Sequence, residues 1–219
     1  MTIKAYVFDA YGTLFDVHSV SETAESLFPG KGKEISLQWR KKQVEYFMLH
    51  QITGNYKPFS DVTRDALLYT LKNLHEDCKE NAVQQLMNSY LELEVYEEVK
   101  DTMRQLKENG KKRTIYSNGT PSMLKPLVEK RELHDLLDIL SVDDVKQYKP
   151  AAAAYQYALE KLEVERHELL FMSSNFWDIT GASSFGFRTA WINRSNLEVD
   201  ELGIQPDYIF EDLRGILNV

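Results

Sequence analysis

Ala5 to Phe8 is an unbroken apolar run that ends abruptly on a carboxylate, Asp9. Such a run predicts a buried strand. Gly12 then permits a tight turn, and the small hydroxyl of Thr13 is placed to hold the strand's end. Beyond this turn the apolar spacing becomes helical and stays so for about eighty residues, far longer than an ordinary crossover. It predicts helices over 21–28, stopped by Pro29-Gly30, and over 34–53, ended by Gly54-Asn55. A third is expected over 61–74, with Ser60 or Asp61 as N-cap, and a fourth over 81–91. Consecutive helices with short links imply a small bundle inserted after the first strand, a lid over the Asp9 loop.

From Val95 the rhythm changes to helix and strand in alternation. Val99, Met103 and Leu106 share one helical face, and Gly110 ends that helix. Strands are predicted over 113–117, 138–141, 169–173, 189–193 and 208–210. Thr120-Pro121 offers an N-cap followed by proline at the first helical position. Further helices are expected from Pro150 to 162, over 177–185 before Gly186, and over 213–217. Alternation of this kind predicts a parallel sheet with right-handed crossovers and helices on both faces. The fold class is therefore α/β: a Rossmann-like parallel-sheet core, 1–16 and 96–219, with an inserted helical cap subdomain, 17–95. In an open sheet, sites lie at the carboxyl ends of the strands. The loops at Asp9, Ser117-Asn118, Tyr148-Lys149 and Ser173-Ser174-Asn175 should converge there, with Asp9 as nucleophile.

Composition narrows the partners. In 219 residues the apolar fraction is 43%, enough for an ordinary core, and the formal net charge is −8. Neither nucleic acid nor an anionic membrane is a natural partner for that balance. An anionic substrate would need local cations to overcome it. Cys78 is the only cysteine, so an intrachain disulfide is impossible and the reducing cytosol is the expected home. No charged-then-apolar leader precedes the first strand, and no apolar run approaches the roughly 18 residues of a span. The five histidines are scattered without metal-ligand spacing, which disfavours both a histidine metal site and Ser-His-Asp chemistry.

Taken in order, Phe8-Asp9-Ala10-Tyr11-Gly12-Thr13-Leu14-Phe15-Asp16, Trp39-Arg40, Tyr116-Ser117-Asn118-Gly119, Tyr148-Lys149-Pro150 and Ser173-Ser174-Asn175-Phe176-Trp177-Asp178 resemble the motifs of the haloacid dehalogenase superfamily. The closer resemblance is to its L-2-haloacid dehalogenases, and it covers nearly the whole chain. Two positions separate them from the superfamily's phosphatases. Those enzymes usually carry a second aspartate two residues after the nucleophile as general acid, where this chain has Tyr11. They also need a magnesium ligand four residues before the last aspartate, where this chain has Ser174, a poor ligand for a hard cation. Displacement of halide from carbon needs neither, because halide is a stable leaving anion.

Lys149 is the natural counterion of an ionised Asp9. A unit pair at ~4 Å is worth about 4 kcal/mol at an effective dielectric near 20; a plain surface lysine is the alternative. Arg40 lies on the long lid helix in line with Leu37, Val44 and Phe47. Spacing alone favours snorkelling to water over facing a dry anion pocket; the resemblance reverses this and implies that it receives the halide. Lys41, beside it, stands where the family pattern suggests an uncharged glutamine. Ser117 and Asn118, with the backbone amides of Ala10 and Tyr11, would hold the substrate carboxylate, or Ser117 merely caps its strand. The resemblance further implies that Thr13, Tyr155, Ser173, Asn175 and Asp178 surround the nucleophile, hold Lys149, and position or activate a water. The lesser alternative for Asp178 is an acid favoured at a helix N-terminus by the dipole. Val44, Phe59 and Trp177 are candidate pocket walls or plain core.

The expected activity is hydrolysis of short-chain L-2-haloacids to D-2-hydroxy acids through an Asp9 ester, with inversion, no cofactor and no metal. Family members are often homodimers, which sets that expectation here. The rivals are a superfamily phosphatase acting on a small phosphoester and a non-catalytic descendant that binds a small acid.

Overall fold

A computed structural model describes residues 2–219. Strand β1 (Ala5–Phe8) is the short apolar run, and all four of its residues are buried. Burying one such side chain stabilises by about 1.5–3 kcal/mol, so this strand has little freedom to slip. After a turn, β2 (Phe15–Asp16) leads into helices α1 (Val20–Leu27), α2 (Gly32–Ile52), α3 (Phe59–Asn73) and α4 (Glu80–Ser89). The chain returns through β3 (Glu94–Val95). Strands β2 and β3 pair antiparallel, Phe15 opposite Val95 and Asp16 opposite Glu94. This two-residue ribbon ties the two crossings of the helical insert together. Its strands carry too few residues for any alternation to be visible in the sequence.

The insert packs α2 on α1 and α3, and α4 on α1 and α3. On α2, Ile35, Trp39, Gln43 and Phe47 recur every four residues and are all buried, so one stripe faces inward. Helix α3 begins at Phe59 after Pro58, whose carbonyl accepts from the N–H groups of Asp61 and Val62. The expected N-caps, Ser60 and Asp61, instead lie in the first turn. Pro58, held extended at φ −54 and ψ 140, already supplies the break that starts the helix.

The second half gives α5 (Val99–Glu108), β4 (Lys112–Ser117), α6 (Pro121–Lys130), β5 (Asp138–Ser141), α7 (Ala152–Leu162), β6 (Leu169–Ser173), α8 (Phe176–Phe185), β7 (Arg188–Ile192) and β8 (Tyr208–Phe210). Two expectations need correction. Pro150 does not open α7: Lys149-Pro150 is a cis peptide, Ala151 is extended, and the first helical residue is Ala152. The last segment, Leu213–Asn218, is a 3-10 helix rather than an α-helix, started by Asp212 accepting from Arg214 N–H. Thr120 is an N-cap position as expected, yet its hydroxyl pairs with Ser122 rather than with the helix backbone.

All six main strands are parallel, in the order β5-β4-β1-β6-β7-β8. The chain works outward from β1 through β4 and β5, then crosses back to β6 on the other side. The topological switch point therefore lies between β1 and β6, where open α/β sheets place their ligands.

Candidate active site

Asp9 follows β1 directly, and its N–H extends the sheet by donating to Met172 O at 2.9 Å. The chain then folds back sharply: Ala10 O accepts from the N–H groups of Thr13, Leu14 and Phe15, and Gly12 sits at φ +90. Only glycine adopts that conformation without strain. The turn returns Thr13 to the carboxylate it follows.

Four donors from three segments meet at Asp9, which is 4% exposed. Its Oδ2 accepts from Thr13 Oγ1 at 3.1 Å, Ser173 Oγ at 3.1 Å and Asn175 Nδ2 at 2.8 Å. Its Oδ1 accepts only from Lys149 Nζ, at 3.0 Å. One oxygen is thus saturated by neutral donors, while the other keeps a free lone pair beside a cation. Thr13 is itself oriented by Ser174 N–H, 2.9 Å from its hydroxyl.

Lys149 is fully buried and spends all three of its protons. It donates to Asp9 Oδ1, to Asp178 Oδ2 at 2.6 Å and to Tyr116 O at 2.8 Å. The surface-lysine alternative is thereby removed. Burial pulls its pKa down, but Asp178 and Asp9 together outweigh this and raise it. Asp178 responds the other way. Burial, opposed by Lys149 and reinforced by Asp9, pushes its pKa up to about 6. Its Oδ1 accepts from Tyr155 Oη at 2.7 Å, and burial drives that phenol's pKa well upward, which keeps it a donor. Asp178 is thus a fully buried, bonded acid and not an exposed helix-start residue.

Arg40 reaches across from α2. Its Nη2 donates to Asn175 Oδ1 at 3.2 Å and lies 3.4 Å from Tyr11 O, while Nη1 donates to Gln43 Oε1 at 2.7 Å. The guanidinium therefore faces the Asp9 cluster and does not merely snorkel. It also borders a cavity of ≈ 230 Å³ that Gly12, His18, Ser174 and Arg194 help to line.

The two side chains expected to anchor a carboxylate differ in what they are committed to. Ser117 is buried and accepts from Gly119 N–H at 3.0 Å, leaving its own proton free. The side chain of Asn118 is committed elsewhere: Oδ1 accepts from Lys149 N–H at 2.9 Å and Nδ2 donates to Lys149 O at 3.1 Å. It clamps the backbone that carries the ammonium, a pairing across 31 residues that no local pattern signals. Among the described residues, the backbone N–H groups of Ala10, Tyr11 and Asn118 donate to no protein acceptor. Those three amides, with the Ser117 hydroxyl, are the donors present for an incoming anion.

The candidate wall residues pack among aromatic neighbours. Phe59 stacks on Tyr11 at 5.7 Å between ring centroids, and Trp177 meets Phe47 at 5.2 Å. Val44 is half-buried against the same core. The buried Tyr11 hydroxyl has no partner. Residues not anticipated from the sequence include Tyr116, which holds Lys149 through a carbonyl, and Gln43, which holds Arg40. A backbone acceptor carries no side-chain signature, and a lone glutamine on a helix reads as surface. No group of three or more His, Cys, Asp or Glu side chains is arranged to hold a metal among the described residues.

A family model for haloacid dehalogenase-like hydrolases matches residues 3–186. The (S)-2-haloacid dehalogenase of Pseudomonas sp. (strain YL) is 43% identical over 218 residues, spanning 99% of this chain and 94% of that enzyme. A crystal structure of an L-2-haloacid dehalogenase superposes with a TM-score of 0.96 at 43% identity, covering 100% of this chain and 98% of the other. The Xanthobacter autotrophicus L-2-haloacid dehalogenase with chloropropionic acid covalently bound gives 0.91 at 34% identity, covering 99% and 98%. The chain belongs to the haloacid dehalogenase-like hydrolases and groups with their (S)-2-haloacid dehalogenases.

Proposed function

We propose that this protein hydrolyses short-chain L-2-haloacids to D-2-hydroxy acids without a cofactor, through an ester on Asp9. The observation that carries the reading is the asymmetry of the Asp9 carboxylate. Oδ2 is tied by Thr13, Ser173 and Asn175, and Oδ1 faces only the Lys149 ammonium. Oδ1 is the attacking oxygen. The substrate carboxylate is held by the amides of Ala10, Tyr11 and Asn118 and by Ser117, with C2 turned to Asp9. Val44, Phe59 and Trp177 surround its alkyl part.

In the first step an Asp9 Oδ1–C2 bond forms from the face opposite the halogen, inverting that carbon. The carbon–halogen bond breaks with its electron pair, and the halide leaves toward Arg40. In the second step water adds to Asp9 Cγ and gives up a proton. Oδ2 carries the negative charge that develops, under the three donors already fixed on it. Asp178, its pKa raised to about 6, takes the water's proton and returns one to the departing alkoxide. The second proton of the water, left on Asp9, passes to solvent and restores the original carboxylate, so C2 inverts once in the cycle.

Residues 17–95 act as a cap over a core of 1–16 and 96–219, contributing Arg40 from α2. A cytoplasmic setting and a homodimer belong to the same proposal. No helix among the described residues is long and apolar enough to cross a membrane, and the oligomer is testable by sedimentation.

Phosphatase chemistry is disfavoured by one contact. Asn175 Nδ2 bridges Asp9 Oδ2 at 2.8 Å and Tyr11 O at 3.0 Å, so an amide occupies the oxygens that a cation beside the nucleophile would need. The deciding experiment is chloride release from separated L- and D-2-chloropropionate, combined with single turnover in oxygen-18 water. Release from the L-isomer alone, with first-turnover label in Asp9, is expected, and Asp9→Asn should abolish release. Label in the product hydroxyl during that turnover would mean that water attacks carbon directly.

A further inference from the structure

Arg40 has an unusual set of partners for a half-buried cation. It meets three oxygens, Gln43 Oε1, Tyr11 O and Asn175 Oδ1, and none of them is charged. It takes part in no salt bridge among the described residues, although the chain carries a net charge of −8. The nearest firm contact is Gln43, at 2.7 Å.

Gln43 is fully buried and every polar atom of its amide is used in a fixed sense. Oε1 accepts from Arg40 Nη1 and from Tyr90 Oη at 3.0 Å, and Nε2 donates to Thr63 Oγ1 at 2.7 Å. Thr63 passes its own proton to Phe59 O at 2.7 Å. The two donors on one side and the acceptor on the other leave the amide one orientation. Helices α2 and α3, Tyr90 and the wall residue Phe59 are joined through this single side chain.

We propose that Gln43 is a positioning residue that aims the Arg40 guanidinium while leaving its charge uncompensated for the departing halide. A glutamate would fit the same space and accept the same two hydrogen bonds, but it would neutralise the arginine in a site sheltered from water. There a facing carboxylate counts for much more than on the surface. A neutral acceptor fixes the geometry and keeps the field. The inference rests on the dehalogenase reading for the anion's identity, and it is testable apart from turnover.

The test measures bromide affinity of the resting enzyme by titration calorimetry, beside chloride inhibition and kcat and KM for L-2-chloropropionate. Wild type, Gln43→Glu, Gln43→Leu and Arg40→Ala are compared, with Tm recorded for each. Bromide binding should be lost in Arg40→Ala and weakened at least tenfold in Gln43→Glu. The glutamate variant should lose at least tenfold in kcat with a much smaller change in KM, because the halide charge develops only in the transition state. Gln43→Leu should weaken bromide several-fold through lost aim alone, and it decides the matter if the glutamate variant does not fold. A folded variant with wild-type bromide affinity and chloride inhibition, whatever its Tm, would overturn the role, as would a wild type that binds no bromide. Failure of the wild type to release chloride would instead count against the dehalogenase reading, leaving bromide affinity to judge Gln43.

Discussion

The ammonium of Lys149 lies closer to Asp178, at 2.6 Å, than to Asp9, at 3.0 Å. One buried cation is thus shared between two carboxylates, with the firmer contact to Asp178. Asp9 keeps a counterion without losing its open lone pair, and Asp178 acquires a pKa far from that of an ordinary carboxyl.

Replacing the shared cation should be costly. In Lys149→Met, Asp9 and Asp178 would face each other in a dry site with no counter-charge, and Tyr116 O would lose its donor. Removing one partner of a buried ion pair costs about 3–5 kcal/mol. A loss of that size in chemical denaturation is expected at neutral pH, together with loss of chloride release.

Asp178→Asn separates the two chemical steps. In the proposed mechanism attack by Asp9 does not use Asp178 as a base, whereas hydrolysis of the ester does. The variant should release about one chloride per site and then slow by about 10²-fold or more. Mass spectrometry should find the ester on the peptide containing Asp9. A linear time course without a burst would reassign the base.

The pH dependence follows from the pKa of Asp178, raised by burial to about 6. Activity should fall as pH drops through about 6, because the protonated acid cannot accept from water. Stability has the opposite sign. A raised folded-state pKa contributes stability that is full below the unfolded value of 3.8 and is lost as pH rises through about 6. The contribution is on the order of 3 kcal/mol for this fully buried group. The Tm of the wild type relative to Asp178→Asn should therefore rise between pH 7 and pH 4.

Gly181 sets how closely Tyr155 approaches Asp178. A Cβ at position 181 would lie 2.5 Å from Pro150 Cβ and 2.6 Å from Tyr155 Oη. Gly181→Ala should destabilise by about 1–3 kcal/mol through overpacking. It should also move the acid limb of the activity profile upward, because Asp178 loses a donor to its charged form. Denaturation midpoints and a kcat–pH profile measure the two effects separately.

The strand that presents Asp9, the helical insert after it and the alternation that makes the sheet parallel are all legible in the order of residues. These follow from short-range apolar periodicity, which responds to neighbours a few residues away. The order of the polar loops was legible too, because strand ends in a parallel sheet share one edge. How the side chains pair across those loops emerges only when the separate elements pack together. Asn118 gripping the backbone of Lys149, Lys149 leaning toward Asp178, and Gln43 aiming Arg40 are contacts between groups fixed by separate elements or by neighbouring turns. Their hydrogen-bond partners are assigned by where buried donors and acceptors find each other, which no local pattern records. The start of α3 differs from its expected caps for a related reason: the backbone at Pro58, and not the side chain of Ser60 or Asp61, sets where that helix begins.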